Sequence, residues 1–484
     1  MEHLTGTFHS LLFSFRTVFT EPSFQIFLTL ATGWVVSVRH RFVTELIYSG
    51  DHVGVGHWSR FHRFFSHYAW SLDELCLVLA RLLIAAFAAT GIIDLAIDDT
   101  LCRKRGLHLF GAGMHHDPLV SSKAVKLVSW GHNWVVLTLI VRLPFWAPTK
   151  VFALPIAFRL YRNLQGNNKG KKPKKSKKHD TKNLPKKKAK KAGPKNAKKI
   201  KTPPRRADGS LHETRPQLAL QLISWIAAAF PERTFRVTGD SLYGGKSVLS
   251  KLPKNVHLIS RVHPGGALYE PAPSPVPGKR GRKRSKGERL SKIDDWAADK
   301  TPWTDLAFDQ YGLHAKLSVK TRQGLYYKAG RTRLLQFVLV RDNEGKRPLS
   351  IFYSTLLISS EWSVRDILST YACRWSIEVT FENGKQLLGF EDPANRLPKA
   401  VERTAPMGMI LLSLVTLWFH QEGHRHVSFP FRPWYRHKKE PSFADMLTTL
   451  RKLSWTEFTR PALSDPAAAK TLLAKTTEFL SRSG

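Results

Sequence analysis

Apolar residues recur at helical spacing through residues 22–90, in helix-length segments separated by polar breaks, and the spacing predicts a small helical region there. From residue 92 the period shortens to two. Residues 92–97, 126–130, 134–141 and 153–161 are short runs rich in β-branched and aromatic residues, bounded by Gly, Pro or Asn, and they read as strands. Residues 213–230 return to an amphipathic helix, followed by strand 234–238, helix 246–252 and strand 256–262. Strands 334–341 and 348–355 come later, ahead of helical residues around Glu378 and an apolar helix at 407–419. Strands first, then alternating helix and strand, predict a mixed α/β sheet. The segments 82–93 and 407–419 are strongly apolar but only about a dozen residues long, short of the roughly 20 that cross a bilayer, so both are expected as buried helices.

Charge narrows the class of partner. The 484 residues include 76 Lys and Arg against 37 Asp and Glu, a formal net charge of +39, which points to a polyanion, nucleic acid ahead of an acidic membrane. Close to half of that excess lies in residues 165–206, where nineteen Lys and Arg accompany one acid. Such a segment cannot bury a core; it is expected as a disordered loop that concentrates the protein on DNA without reading sequence, or as a merely solvated one. It has almost no apolar residues, which argues against a membrane surface. A second basic run, Arg280, Arg282, Lys283 and Arg284, follows a Pro-rich stretch. In His57-Trp-Ser-Arg60-Phe-His-Arg63-Phe-Phe65, Arg60 and Arg63 are candidate phosphate contacts, while the aromatics serve equally well as core. Three scattered cysteines build neither a disulfide framework nor a zinc site, and the opening residues lack a secretory pattern, so a reducing, cytoplasmic and nucleoid-associated setting is expected. No phosphate-binding Gly-x-x-x-x-Gly-Lys loop occurs, and His132, His420, His424 and His426 lack metal-ligand spacing.

Candidate chemistry sits where apolar runs end. Asp98 and Asp99 close one such run before Thr100, and Asp240 closes another before Ser-Leu-Tyr243-Gly. Along Ile93, Leu95 and Ile97 the alternation sets Asp94, Ala96 and Asp98 on one face and Asp99 on the other, which favours Asp98 with Asp99 as its rival. A third acid, Glu378, stands with Tyr371, Arg374 and Lys385 at offsets that return to one face of a helix, and Glu382 is its rival one turn on. Arg103 and Lys104, just past the first acidic motif, are candidate contacts to a DNA strand.

The spacing Tyr-x2-Arg-x3-Glu-x6-Lys resembles the YREK signature of bacterial DDE insertion-sequence transposases of the IS-four-like group, whose other acidic motifs read Asp-x-Thr and Asp-x-x-Tyr. All three motifs are present in order, and the resemblance runs from about residue 57 to about residue 450. It implies an RNase H-like mixed sheet with helices on both faces, a β-rich insertion before the last catalytic helix and a helical N-terminal domain. Expected boundaries are 1–90 for a helical DNA-binding domain, 91–262 and 358–425 for the two parts of the catalytic domain, 263–357 for the insertion and 426–484 for a helical tail. The resemblance also implies that Asp98, Asp240 and Glu378 hold two Mg²⁺ or Mn²⁺ ions and that Tyr371, Arg374 and Lys385 orient the transposon end; Trp296 and Trp303 are candidates for stacking on an unpaired base, although a lone Trp is more often a core residue. The implied activity is cut-and-paste transposition: a homodimer binds terminal inverted repeats in double-stranded DNA, hydrolyses the ends and joins the 3′-hydroxyls to target DNA, with no membrane partner. The alternative is a catalytically silent DNA-binding protein derived from a transposase. Intact acids argue against it.

Overall fold

The computed structural model describes residues 4–50, 56–122, 124–164, 204–206, 208–263, 265–274, 281–310, 313–430, 433 and 436–460, with scattered positions beyond 460. Five helices come first: α1 (Gly6–Phe13), α2 (Glu21–Val36), α3 (Val43–Ser49), α4 (Ser59–Ser66) and α5 (Leu72–Phe87). Each owes its place to a buried stripe. In α5, Leu75, Cys76, Leu79, Ala80, Leu83 and Ile84 recur every three or four residues, while Ser71 caps the first turn by accepting from the Glu74 amide at 3.3 Å.

Next come β1 (Ile93–Arg103), β2 (Gly113–His116), β3 (Val128–Arg142) and β4 (Val151–Tyr161). The two strands expected at 126–130 and 134–141 are one, β3. Gly131 is the reason: it marks a close approach of backbones, since a Cβ there would lie 2.2 Å from the Cys102 carbonyl oxygen of β1. Then follow α6 (Arg215–Ala229), β5 (Phe235–Gly239), α7 (Lys246–Leu249), β6 (Val256–Arg261), α8 (Ile293–Ala298), β7 (Thr304–Gln310), β8 (Leu313–Gly324), α9 (Tyr327–Gly330), β9 (Leu335–Asp342) and β10 (Ser350–Ser354). The chain ends in α10 (Val364–Cys373), α11 (Ser376–Leu388), α12 (Pro398–Gln421) and α13 (Phe443–Thr459).

One sheet takes every strand, in the order β2-β3-β1-β5-β6-β10-β9-β8-β7, with β4 beside β2 on the outer edge of β3. Strands β1, β5 and β6 are parallel, and β3 and β4 run antiparallel to their neighbours. This is an RNase H-like mixed sheet, extended at one side. The β-rich residues 304–354, expected as an insertion of their own, hydrogen-bond into the same sheet through β10 on β6 and bury a small cluster of Phe308, Leu317, Val319, Val338, Val340 and α10 residues. One larger core joins the N-terminal helices to the sheet through α12, and the Trp34 indole donates to the Leu388 carbonyl at 2.8 Å. Helix α12 has 24 residues, twice the expected length and enough to cross a membrane, but 94% of its apolar window is buried inside the protein, so it serves as the core helix.

Candidate active site

Pleating sends the two neighbouring carboxylates of β1 to opposite faces of the sheet, and each meets an arginine from the helices on its own side. Asp98 accepts from Arg374, in the turn between α10 and α11, and from the Asp99 amide at 2.9 Å. Asp99 faces α6 and accepts from Arg215 at 2.6 Å, from Asn133 of β3 at 3.0 Å and from the Tyr243 hydroxyl at 2.6 Å. Burial pushes the Asp98 carboxyl up to about 7; Arg374 opposes the rise, and the charges of Asp99 and Asp240 add to it.

Asp240 lies beside Asp98 in register. The last β1–β5 pair is Ile97 with Gly239, so the two acids occupy the next positions, where the parallel pairing ends; β5 stops there, while β1 runs on to Arg103 beside β3. The Asp240 side chain accepts from the Leu242 amide at 2.8 Å, and its carbonyl accepts from the amides of Tyr243 and Gly244, both at 3.1 Å, and from the Ser260 hydroxyl at 2.8 Å. The turn admits no side chain at residue 244, where a Cβ would lie 2.2 Å from the Ser260 hydroxyl. Tyr243, wholly buried, leaves this turn and reaches across to Asp99.

The segment bearing Glu378 departs from the single helix that the spacing predicts. Helix α10 stops at Cys373 and α11 starts at Ser376, and in between the amides of Arg374, Trp375, Ile377 and Glu378 donate to the carbonyls three residues before them, those of Tyr371, Ala372, Arg374 and Trp375. This tight turn swings Arg374 over β1 at Asp98, where it spans Asp98 and Glu378, the latter at 3.6 Å. The Arg374 guanidinium is largely buried, and its Nε has no partner. Burial raises the Glu378 carboxyl, with Arg374 opposing. Tyr371 packs edge-on to Phe352 at 4.7 Å and lies 5.8 Å from the guanidinium. A cleft of about 540 Å³ opens beside them, lined among others by Arg261, Phe308, Phe352, Tyr371, Arg374 and the exposed Trp375.

The basic residues grouped with the acids in the sequence divide into two sets. Lys385 does not join Arg374; it donates to the Leu101 carbonyl at 2.7 Å and pairs with Glu391 at 3.3 Å. Lys104, expected against a DNA strand, is corrected to a structural role. Its ammonium is buried, donating to the carbonyls of Glu391 at 2.5 Å and Pro393 at 2.9 Å, because the end of β1 needs a cation to hold that loop. Arg103 holds the buried Asp117 at 2.7 Å but stays 45% exposed. On α4, Phe61, Phe64 and Phe65 enter the core, Arg60 is half-buried and Arg63 is exposed. Arg282, Lys283 and Arg284 are exposed, whereas Arg280 and residues 165–203 of the Lys-rich segment lie outside the described residues. Trp296, a candidate for base stacking or for the core, is a core residue: it is 2% exposed and covered by Arg322 at 3.7 Å. Trp303 is half-buried between Lys320 at 4.8 Å and Arg341 at 4.1 Å.

Asn133, Arg215 and Tyr243 hold the acid that faces away from the site, a role that the sequence pattern does not assign to them. The polar break His132-Asn133 inside an apolar strand is the available signal for Asn133, buried at 3% exposure. Among the described residues, no group of three His, Cys, Asp or Glu side chains stands ready to hold a metal ion. The donor set nevertheless suits a hard dication, since Asp98 and Glu378 already converge on one positive charge, the Arg374 guanidinium, which stands in for it.

A family model described as DDE superfamily endonuclease matches residues 48–327. No curated protein matches. Among solved structures, a piggyBac transposase synaptic complex with hairpin DNA is matched at a TM-score of 0.41 and 12% identity, over 95% of this chain and 76% of that one, a similarity too low to bear on the assignment.

Proposed function

The chain belongs to the DDE superfamily endonuclease family, and from that premise we propose that it is a transposase of the YREK insertion-sequence group. It binds the terminal inverted repeats of its element as a homodimer, hydrolyses the ends and joins the 3′-hydroxyls to target DNA. The observation that carries this reading is the gathering of Asp98, Asp240 and Glu378 around one guanidinium, where the parallel pairing of β1 and β5 ends.

Asp98, Asp240 and Glu378 are the residues that would hold Mg²⁺ or Mn²⁺, through carboxylate oxygens. Bound there, such cations would activate the attacking water or 3′-hydroxyl and neutralise the departing oxygen. The chain's own contribution begins with charge. Without DNA, Arg374 neutralises Asp98 and Glu378. A backbone phosphate offers the same guanidinium a fork of two oxygens, so DNA binding draws Arg374 from carboxylate to phosphate and frees the acids. Tyr371, beside Arg374, adds one donor to that phosphate, and the exposed Arg63, Arg282, Lys283 and Arg284 attract the duplex at longer range.

A second reading, DNA binding without cutting, is favoured by the absence among the described residues of a carboxylate group ready for an ion. One experiment separates the two. The parent protein and an Asp98→Asn, Glu378→Gln variant are incubated with labelled duplex carrying the element's terminal repeat, with and without Mg²⁺ or Mn²⁺. The transposase reading expects metal-dependent cuts at the repeat boundary by the parent alone, with binding retained by both. Tight binding with no cut by either leaves the non-cutting reading.

A further inference from the structure

Asp99 is adjacent to the proposed acid group yet points away from it, and the side chains around it connect β1 to the turn after β5. Its Oδ1 accepts from the Tyr243 hydroxyl at 2.6 Å, and its Oδ2 accepts from Arg215 at 2.6 Å and Asn133 at 3.0 Å. These groups come from four elements. Asp99 is on β1, Asn133 on β3, Arg215 at the start of α6, and Tyr243 in the turn that begins with Asp240. Tyr243 is wholly buried, and the Asp99 side chain is 11% exposed.

The geometry fixes two distances at once. Asp98 precedes Asp99 and receives the Asp99 amide on its own carboxylate, so a shift of Asp99 moves Asp98. Asp240 accepts from the Tyr243 amide through its carbonyl, so a shift of the tyrosine moves Asp240. Parallel pairing between β1 and β5 ends at Ile97 and Gly239, one residue short of both acids. Beyond that point no β1–β5 backbone pair among the described residues ties the strands together, and the Tyr243–Asp99 bond spans the gap from the opposite face of the sheet. Gly239 lets the tyrosine pass, since a Cβ there would lie 2.9 Å from Tyr243 Cβ.

We infer that Asp99 is a positioning residue: with Tyr243, Arg215 and Asn133 it locks the Asp240 turn to β1 beyond the last β1–β5 pair and so sets the spacing of the Asp98 and Asp240 carboxylates. Its role in catalysis rests on the reading of those two acids as the cutting pair. The locking itself does not.

The test uses the full-length protein with Tyr243→Phe, Asp99→Asn and the double variant. Tyr243→Phe removes one hydroxyl and keeps the ring, so it remains informative where Asp99→Asn fails to fold. Two readouts are taken: amide hydrogen exchange of the peptide covering 239–245, and nicking of supercoiled plasmid in Mn²⁺ across a range of plasmid concentrations. A hydrogen bond to a charged group is strong enough that exchange in that peptide is expected to quicken about tenfold or more in each single variant, and by no more in the double. Peptides from β9 are expected to be unaffected. Nicking is expected to slow about tenfold to a hundredfold at saturating plasmid, with an unchanged half-saturating concentration and with the double variant no slower than the slower single. Unchanged exchange in Tyr243→Phe overturns the inference. So does an Asp99→Asn variant devoid of nicking beside a Tyr243→Phe variant that nicks like the parent, because Asp99 would then act alone. If the parent itself does not nick, the transposase reading fails, and the exchange rates still decide whether Asp99 locks the turn.

Discussion

Asp98 and Asp99 are consecutive, identical in chemistry and opposite in circumstance. Asp99 has three donors on its two oxygens, two of them from the buried Tyr243 and Asn133 and one from the half-buried Arg215. Asp98 shares one arginine with Glu378, takes one backbone amide, and has its carboxyl pushed up to about 7 by burial. A fully bonded carboxylate builds structure, whereas one kept costly to ionise, with a displaceable partner, is held ready for another cation. The difference arises from strand pleating alone, which gives one acid to the α6 face and the other to the α10–α11 turn.

The widest separation between the two acids is expected in cutting. Asp98→Asn should lower metal-dependent cleavage on the order of a thousandfold while leaving DNA binding in a gel-shift assay unchanged. Stability should separate them in the other direction. Asp99→Ala leaves the buried donors of Tyr243 and Asn133 unpaired, while the half-buried Arg215 turns to solvent, and should cost about 2–4 kcal/mol in urea unfolding, whereas Asp98→Asn should cost little. A smaller effect concerns pH. Because the folded Asp98 carboxyl titrates near 7, above its unfolded value near 4, the folded protein binds more protons between those limits and loses stability as pH rises through them. Asp98→Asn should flatten that decline, seen as melting temperatures that match the parent's at low pH and exceed them near pH 8. The smallest effect belongs to Arg374→Gln. Freed of the guanidinium, Asp98 and Glu378 should bind Mn²⁺ without DNA about tenfold more tightly than in the parent, measured by electron paramagnetic resonance.

Much of this is legible in the chain. Alternation from Ile93 to Asp99 by itself puts the two acids on opposite faces, and the apolar run leading into Asp240 marks a strand end, whereas β1 runs on past Asp98 to Arg103 because β3 still pairs with it. What the period cannot carry is contact at a distance. Gly131 resembles a turn because glycine tolerates both a bend and a close backbone approach, and only the neighbour, Cys102, decides between them. Lys104 resembles a DNA contact because a lysine after a strand is usually solvated, while here two carbonyls nearly 290 residues away enclose it. The helical offsets from Tyr371 to Lys385 are sound over each half, but a turn at Arg374 separates the halves and sends Lys385 to Leu101 rather than to the acids. Strands β7 and β8 are hidden in the sequence because polar residues interrupt their apolar positions: in β8 Ser318 and Lys320 are buried beside Leu317 and Val319, Lys320 paired with Asp299.

In the proposed mechanism Asp98, with Asp240 and Glu378, forms the cutting centre and Asp99 does not. Anomalous scattering from crystals of the protein with Mn²⁺ and cleaved terminal-repeat DNA addresses it directly. Manganese peaks against the carboxylates of Asp98, Asp240 and Glu378, with Arg374 moved to phosphate and Asp99 still bonded to Tyr243, are the predicted result; a manganese ion on Asp99, or Arg374 still between Asp98 and Glu378 in the presence of metal and DNA, would contradict it.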